Sequence, residues 1–270
     1  MNILKVLIPL LIFLILACTT HDELEPPDNP LDPNNPVYEL PTSYLTSGPA
    51  NGEVLNNTEV TFQWVGNESA TEYSYKLDNS DWGEWTEELF VTFSYLDDGN
   101  HTFDLKASSV NGDVQIHPTE ILFTVAAVSG PALITYPYYQ EAYTGDTLTI
   151  SIQLVEVDSI YGLGFELTIP TDSLTFVGYK DGELIEQWGG QTLSIVNVSA
   201  ESSVSTLSFA ITAVEGTPSG FSGSTSVLDL QFIASHEISI LLLPQNVSLV
   251  NTKIHEIQLV TIRGGIINAF

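Results

Sequence analysis

Positive charge is nearly missing from this chain. Its 270 residues hold 6 Lys and Arg against 34 Asp and Glu, a formal net charge of −28 at pH 7. Such a surface has no basic patch to displace counterions from phosphates, which excludes nucleic acid as a partner and unaided binding to anionic lipid. Partners are then neutral, cationic, or joined through calcium. Cysteine is almost absent as well. Cys18 is the only one, so no intrachain disulfide can form and the fold must rest on apolar cores. The signatures of chemistry are also lacking. His21, His101, His117, His236 and His255 show no metal-ligand spacing. There is no nucleophile elbow, Walker loop or dinucleotide fingerprint. A spatially assembled carboxylate pair, as glycosidases use, leaves no trace in sequence, but small sandwiches give little room for a deep cleft. The chain therefore reads as a non-enzyme with no catalytic residue, no bound metal and no cofactor of its own.

The first feature present is an apolar run. Residues 1–17 read MNILKVLIPLLIFLILA, with Lys5 as their only charge. From Val6 to Ala17 the run is shorter than the roughly 20 residues a membrane-spanning helix needs. It fits the apolar part of a secretory signal; the plainer alternative is an uncleaved anchor with an incidental cysteine. The stretch Leu14-Ile15-Leu16-Ala17-Cys18 resembles the lipobox of bacterial lipoproteins. That resemblance implies cleavage after Ala17, lipidation of Cys18 and attachment to the bacterial cell envelope, at the outer membrane. Acids at Asp22, Glu23 and Glu25 resemble export signals of surface lipoproteins, although a solvated linker explains them equally. Residues 18–41 carry proline at 26, 27, 30, 33, 36 and 41 among Asp and Asn. Proline blocks regular hydrogen bonding, so this composition predicts an extended, semi-rigid tether.

From residue 42 the pattern becomes period two. Val60, Phe62 and Trp64 alternate with polar residues, as do Tyr73, Tyr75 and Leu77, then Phe103, Leu105 and Ala107. Clusters of Gly, Asn and Asp separate these runs. The spacing predicts a β-sandwich over residues 42–127. The stretch from Tyr75 to Asp113, with Trp82-x-x-Trp85 and Gly99-x-His101-Thr102-Phe103, resembles bacterial immunoglobulin-like or fibronectin-III-like modules. This resemblance implies a fold and no activity. Trp82 and Trp85 invite a sugar-stacking reading, but covering a sandwich edge is the simpler role. Asp78, Asp81, Glu84, Glu87 and Glu88 have the oxygen chemistry of a calcium site without the spacing of an EF-hand loop. A solvated acidic face accounts for them.

A second all-β unit is predicted over residues 131–270, after the small-residue stretch ending in Gly130-Pro131. Strand signals fall at 147–157, 164–170, 173–182, 191–200, 205–214, 226–234, 237–252 and 257–270, with no sustained helical period. About nine strands in that length predict a jelly-roll sandwich. The ordered features resemble a cohesin domain. They are Tyr143-Thr144-Gly145-Asp146, the Gly162-to-Leu167 strand, the step Pro170 to Phe176, Val227 to Phe232, and the closing Gly264-Gly265-Ile266-Ile267. Gly162 and Gly164 stand where cohesins place an Asn and an Asp, and Pro170 replaces part of the usual step.

The resemblance implies a non-catalytic module that binds a dockerin-like partner, itself calcium-loaded, through a sheet made of the third, fifth, sixth and eighth strands. By position these are residues 163–169, 193–200, 206–214 and 237–243. Glu166, Thr168, Asn197 and Ser199 are the candidate partner-binding residues, against the plainer reading of solvent-facing strand positions. A polysaccharide ligand is the alternative, using exposed rings among Tyr136, Tyr138, Tyr139 and Trp188. A structural envelope lipoprotein with no specific ligand is a third.

Overall fold

A computed structural model describes residue 29 and residues 32–188, 192–201, 203–214 and 220–270. The leader and Cys18 lie outside the described residues. Strands dominate, and they enclose two separate apolar cores.

The first core is aromatic. Strands β1 (Ser43–Ser47), β3 (Val60–Gly66) and β5 (Phe90–Phe93) form one sheet, in the order β1-β3-β5. It faces β2 (Glu53–Leu55), β7 (Thr119–Val125), β6 (Gly99–Ser108) and β4 (Glu72–Leu77), in the order β2-β7-β6-β4. Alternation along β3 turns Val60, Phe62 and Trp64 inward. Phe62 stacks on Phe103 with ring centroids 3.9 Å apart, and Trp64 lies tilted against Tyr73 and Tyr75.

The second core lies between two sheets that share one strand. β10 (Thr147–Pro170) runs unbroken for 24 residues, where the sequence pattern predicts two strands. Its first half pairs with β14 (Phe221–Ala234) and β8 (Ala132–Tyr136). Its second half pairs with β13 (Val204–Ala213) and β16 (Gln245–Asn251). Between the halves the register with β14 shifts, and Glu156 and Ser159 take positive φ. Extra residues of this kind bend a strand, which carries β10 from one layer to the other. β11 (Leu174–Asp181) lies outside β14, β12 (Thr192–Glu201) lies outside β13, and β17 (Thr261–Arg263) pairs in parallel with β8. A small sheet of β15 (Ile238–Leu242), β18 (Gly265–Ala269) and β9 (Tyr139–Ala142) completes the unit. The five-residue helix α1 (Glu183–Gln187) has no counterpart in the sequence pattern. It buries Leu184 completely and Trp188 nearly so against the core.

The described part of the tether is not extended. Asp32, Asn35 and Tyr38 each donate a backbone N–H to the carbonyl three residues earlier, at 3.0, 2.8 and 2.9 Å. An Asx residue followed by proline suits the first two positions of a β-turn, and Asp32-Pro33 and Asn35-Pro36 repeat that unit. Tyr38 Oη then donates to Asp113 Oδ2 at 2.6 Å, tying the tether to the first sandwich.

The sandwiches meet through the 95–98 loop. Tyr95 stacks on Tyr139 and meets Tyr138 edge-on. Tyr138 N–H donates to Asp97 Oδ1 at 2.7 Å, and Val128 N–H donates to Asp98 Oδ2 at 2.8 Å. Arg263 is the only arginine in the sequence. Its guanidinium lies 4.6 Å from the Tyr138 ring centroid and donates to Asp98 Oδ1 at 2.9 Å. Burial pushes the Asp97 carboxyl above its ordinary range, against the Tyr138 N–H and the Arg263 charge.

Candidate functional site

The second half of β10 fixes the candidate face. Leu163, Phe165, Leu167 and Ile169 point into the core, so Gly162, Gly164, Glu166 and Thr168 face outward. Antiparallel pairing continues that selection across the sheet. Opposite them on β13 stand Thr212, Ala210, Ser208 and Thr206, and opposite those on β12 stand Leu193, Ile195, Asn197 and Ser199. One row therefore reads Asn197–Ser208–Glu166, and the next reads Ser199–Thr206–Thr168. All four partner-binding candidates from the sequence fall on one outward face, in two adjacent rows.

The fourth strand of that face differs from the sequence expectation. Residues 237–243 were expected there, yet β15 lies in the other small sheet, paired with β18. β16 takes the place, pairing Leu163 with Leu249 and Gly164 with Ser248. Both stretches belong to one apolar run, EISILLLPQNVSLVNT, and period two alone does not say which half joins which sheet.

The face mixes polar side chains with the exposed, apolar Leu193 and Ile195, and Glu256, bridged to Val250 beyond β16, adds an acidic side chain at its edge. On β10, β13 and β12 the one ionisable side chain among the outward positions named above is Glu166. Asn246 holds it, donating from Nδ2 to Oε2 at 2.6 Å, while Ser208 Oγ lies 3.5 Å from Oε1. Asn246 reaches Glu166 because the register between β10 and β16 slips there. Gly164 pairs with Ser248 but Glu166 with Gln245, and Asn246 takes a φ of 49°. A bulge of this type re-aims a side chain. Beside this clamp the floor is low. A Cβ at Gly164 would meet nothing nearer than the Phe209 carbonyl at 3.5 Å, and Ala210 next to it is exposed. Leu193 and Ile195 rise at one side, 59% and 58% exposed. Asn246, Leu193 and Ile195 were not among the sequence candidates. Alternation along β12 could have found the last two; the bulge that positions Asn246 leaves no mark in sequence.

The rings considered for sugar binding do not form a platform. Trp188 is buried, and Tyr138 and Tyr139 pack against Tyr95 and Arg263 in the joint between sandwiches, leaving Tyr136 alone exposed. Trp82 and Trp85 flank Lys106, whose Nζ lies 4.1 and 5.1 Å from their ring centroids. Of the acidic cluster, Asp78 accepts from Thr102 N–H and pairs with His101. Among the described residues no group of three or more His, Cys, Asp or Glu side chains could hold a metal, and no helix is long and apolar enough to cross a membrane.

Residues 139–267 match the family model of the cohesin domain. No curated protein matches the chain. Similar solved structures are also cohesins. A non-cellulosomal cohesin from Archaeoglobus fulgidus is 17% identical over 52% of this chain and 90% of its own, with a TM-score of 0.40. A type II cohesin from the cellulosome of Acetivibrio cellulolyticus is 13% identical over 51% and 94%, with a TM-score of 0.44. A third cohesin, of ScaC, solved in complex with the ScaB dockerin of the same organism, is 17% identical over 52% and 98%, with a TM-score of 0.41. The second sandwich is thus a cohesin-like β-sandwich, on the strength of the family model and its own strand order.

Proposed function

We propose that this chain is a non-catalytic, lipid-anchored display protein of the bacterial cell envelope. Its cohesin-like sandwich receives a dockerin-type protein partner on the outward face of β12, β13, β10 and β16. The observation that carries the reading is the cohesin match over residues 139–267, together with the convergence of Glu166, Thr168, Asn197 and Ser199 on that face. An open, polar sheet surface with low relief suits association between proteins and offers no enclosed cleft for catalysis. Cys18 at the end of the apolar leader would carry the lipid and hold the protein at the outer membrane. The tether and first sandwich would then set the cohesin-like face away from the bilayer.

The test is affinity capture by residues 19–270 from whole-cell lysate, in calcium and in chelator. Retention in calcium alone of a protein with paired calcium-binding loops supports the reading, and an empty column in both conditions defeats it. The anchor is tested separately. Cys18→Ala is expected to move the protein from the membrane pellet to the soluble fraction, with loss of the lipid mass on the mature N-terminus. Membrane retention of that variant would disprove lipidation at this position.

A further inference from the structure

We propose that the first sandwich rests on a lipid bilayer by its end opposite the cohesin-like unit. Val37 and the 109–117 loop press their apolar side chains into a zwitterionic membrane surface. This rests on the reading of Cys18 as a lipid anchor, and it adds a second, non-covalent contact that sets how the sandwich stands.

The first observation is where the chain enters. β6 is ten residues long, about 33 Å. It begins at Gly99, next to the 95–98 loop of the joint, and ends at Ser108, where the 109–117 loop starts. The two loops therefore lie at opposite ends of the sandwich. β1 starts at the same end as the 109–117 loop, since Ser43 Oγ donates to Gln115 Oε1 at 2.8 Å. The Tyr38–Asp113 bond brings the last residues of the tether, Val37 among them, to that loop. A lipid on Cys18 would hold this end within a few tens of ångströms of the bilayer, where the effective concentration favours even a weak insertion.

The second observation is exposure. Val110 is 71% exposed, Ile116 and Val37 are 69% exposed, and Val114 is 40% exposed. A single exposed apolar residue is ordinary, but a group of them marks a contact surface. Turns favour Gly, Asn and Asp, which Asn111, Gly112 and Asp113 supply and Val110 does not. The third is the backbone, because an unpaired peptide group is costly in an apolar medium. Ser109 N–H donates to the Asp113 carbonyl and Gly112 N–H to the Ser109 carbonyl, both at 2.9 Å. Asp113 N–H donates to Ser109 Oγ at 3.2 Å, and Gln115 N–H to the Ala107 carbonyl at 2.9 Å. The loop is closed on itself, so its tip gives up few bonds to water on entering the headgroups. The fourth is charge. Asp113 is the loop's one carboxylate, and it is engaged by Tyr38. Glu39, Glu68 and Glu72 lie at the same end, beside Tyr38, after β3 and at the start of β4. With a net charge of −28 behind them, they repel anionic lipid and leave a zwitterionic surface as the partner.

The experiment uses residues 19–270, which contain no cysteine. An N-terminal histidine tag and a nickel-chelating lipid hold the protein on phosphatidylcholine vesicles. Capture by the tag stands in for the lipid on Cys18, so the result does not depend on acylation, which the fractionation of Cys18→Ala reads separately. Val110→Cys and Ile116→Cys each carry a nitrobenzoxadiazole label, and Val177→Cys on β11 is the distant control. The labels at 110 and 116 are expected to shift to the blue on capture, to return on release with imidazole, and to be quenched by spin-labelled lipid. The label at 177 should do none of these. Replacing part of the phosphatidylcholine by phosphatidylglycerol should shrink the shift. Val110→Asp combined with Ile116→Asp should abolish the shift of a label at Val37→Cys. Its thermal midpoint should match the parent, because both side chains are exposed. Labels at 110 and 116 that behave like the one at 177 overturn the proposal, and so does a shift at 37 that survives the two aspartates. A shift as large on phosphatidylglycerol overturns the choice of a zwitterionic surface. Shifted labels with Cys18→Ala still in the membrane pellet remove the anchor and leave the bilayer contact. Unshifted labels with Cys18→Ala in the soluble fraction leave the anchor and remove the contact.

Discussion

Gly66 shows how little space single positions have at the end of β3. A Cβ there would collide with the Tyr73 hydroxyl and the Ala70 methyl, both beside the aromatic core. Tyr73 cannot retreat without disturbing Trp64, which tilts against it and is 1% exposed. Gly66→Ala is therefore expected to cost about 1–3 kcal/mol through overpacking. Denaturant titration checks it. A midpoint equal to the parent's would mean that the turn after β3 yields more readily than its contacts imply. Gly164 is the counter-example, a glycine with open space above it, where the lack of a side chain shapes the surface.

At the scale of elements, the tether makes the sharpest prediction. Its Asx-Pro turns end at Tyr38, whose hydroxyl reaches Asp113, and this bond raises the tyrosine above its ordinary pKa. Tyr38→Phe should leave the cooperative unfolding of the first sandwich unchanged while speeding amide exchange and proteolysis over residues 32–40. Unaltered exchange there would show that the turns stand without their anchor. The same scale explains what the sequence could tell. β3, β4, β6, β13 and β14 were legible because each is long enough to complete a period-two pattern with one buried face. β1, β2 and β5 are three to five residues long and complete none. The fusion of two expected strands into β10 depends on positive φ at Glu156 and Ser159, positions with no glycine to mark them. The candidate face was legible in the same measure. Glu166, Thr168, Asn197 and Ser199 follow from alternation. The swap of β15 for β16 and the arrival of Asn246 follow from a register shift, which only pairing reveals.

At the scale of the molecule, the chain's one arginine lies between the sandwiches. Arg263 belongs to the cohesin-like unit, yet its partner Asp98 belongs to the first sandwich, and Tyr138 lies against its guanidinium. Arg263→Ala should weaken the joint by about 1–3 kcal/mol, the cost of leaving charged and hydrogen-bonded groups unpaired. Small-angle scattering should then report a wider distribution of distances between the two cores, with both still folded. An unchanged distribution would assign the joint to the Tyr95 ring contacts and the hydrogen bonds to Asp97 and Asp98.

Asp97 adds a pH dependence to that joint. Burial raises its carboxyl, so between the ordinary carboxylate range and its raised native value the folded chain binds more protons than the unfolded chain. The contribution of Asp97 to stability then falls as pH rises through that window and levels off above it. Asp97→Asn keeps an amide oxygen to accept the Tyr138 N–H but cannot ionise. It should remove this downward slope and leave the joint at pH 7 as stable as the parent or more so. Asp97→Ala should also remove the slope, but it should lose the acceptor and cost about 1–3 kcal/mol at every pH. Denaturation of the three proteins from pH 4 to pH 8 tells these apart. A slope that survives in Asp97→Asn would have to come from another carboxyl, and the burial of Asp97 would then have no bearing on how the sandwiches hold together.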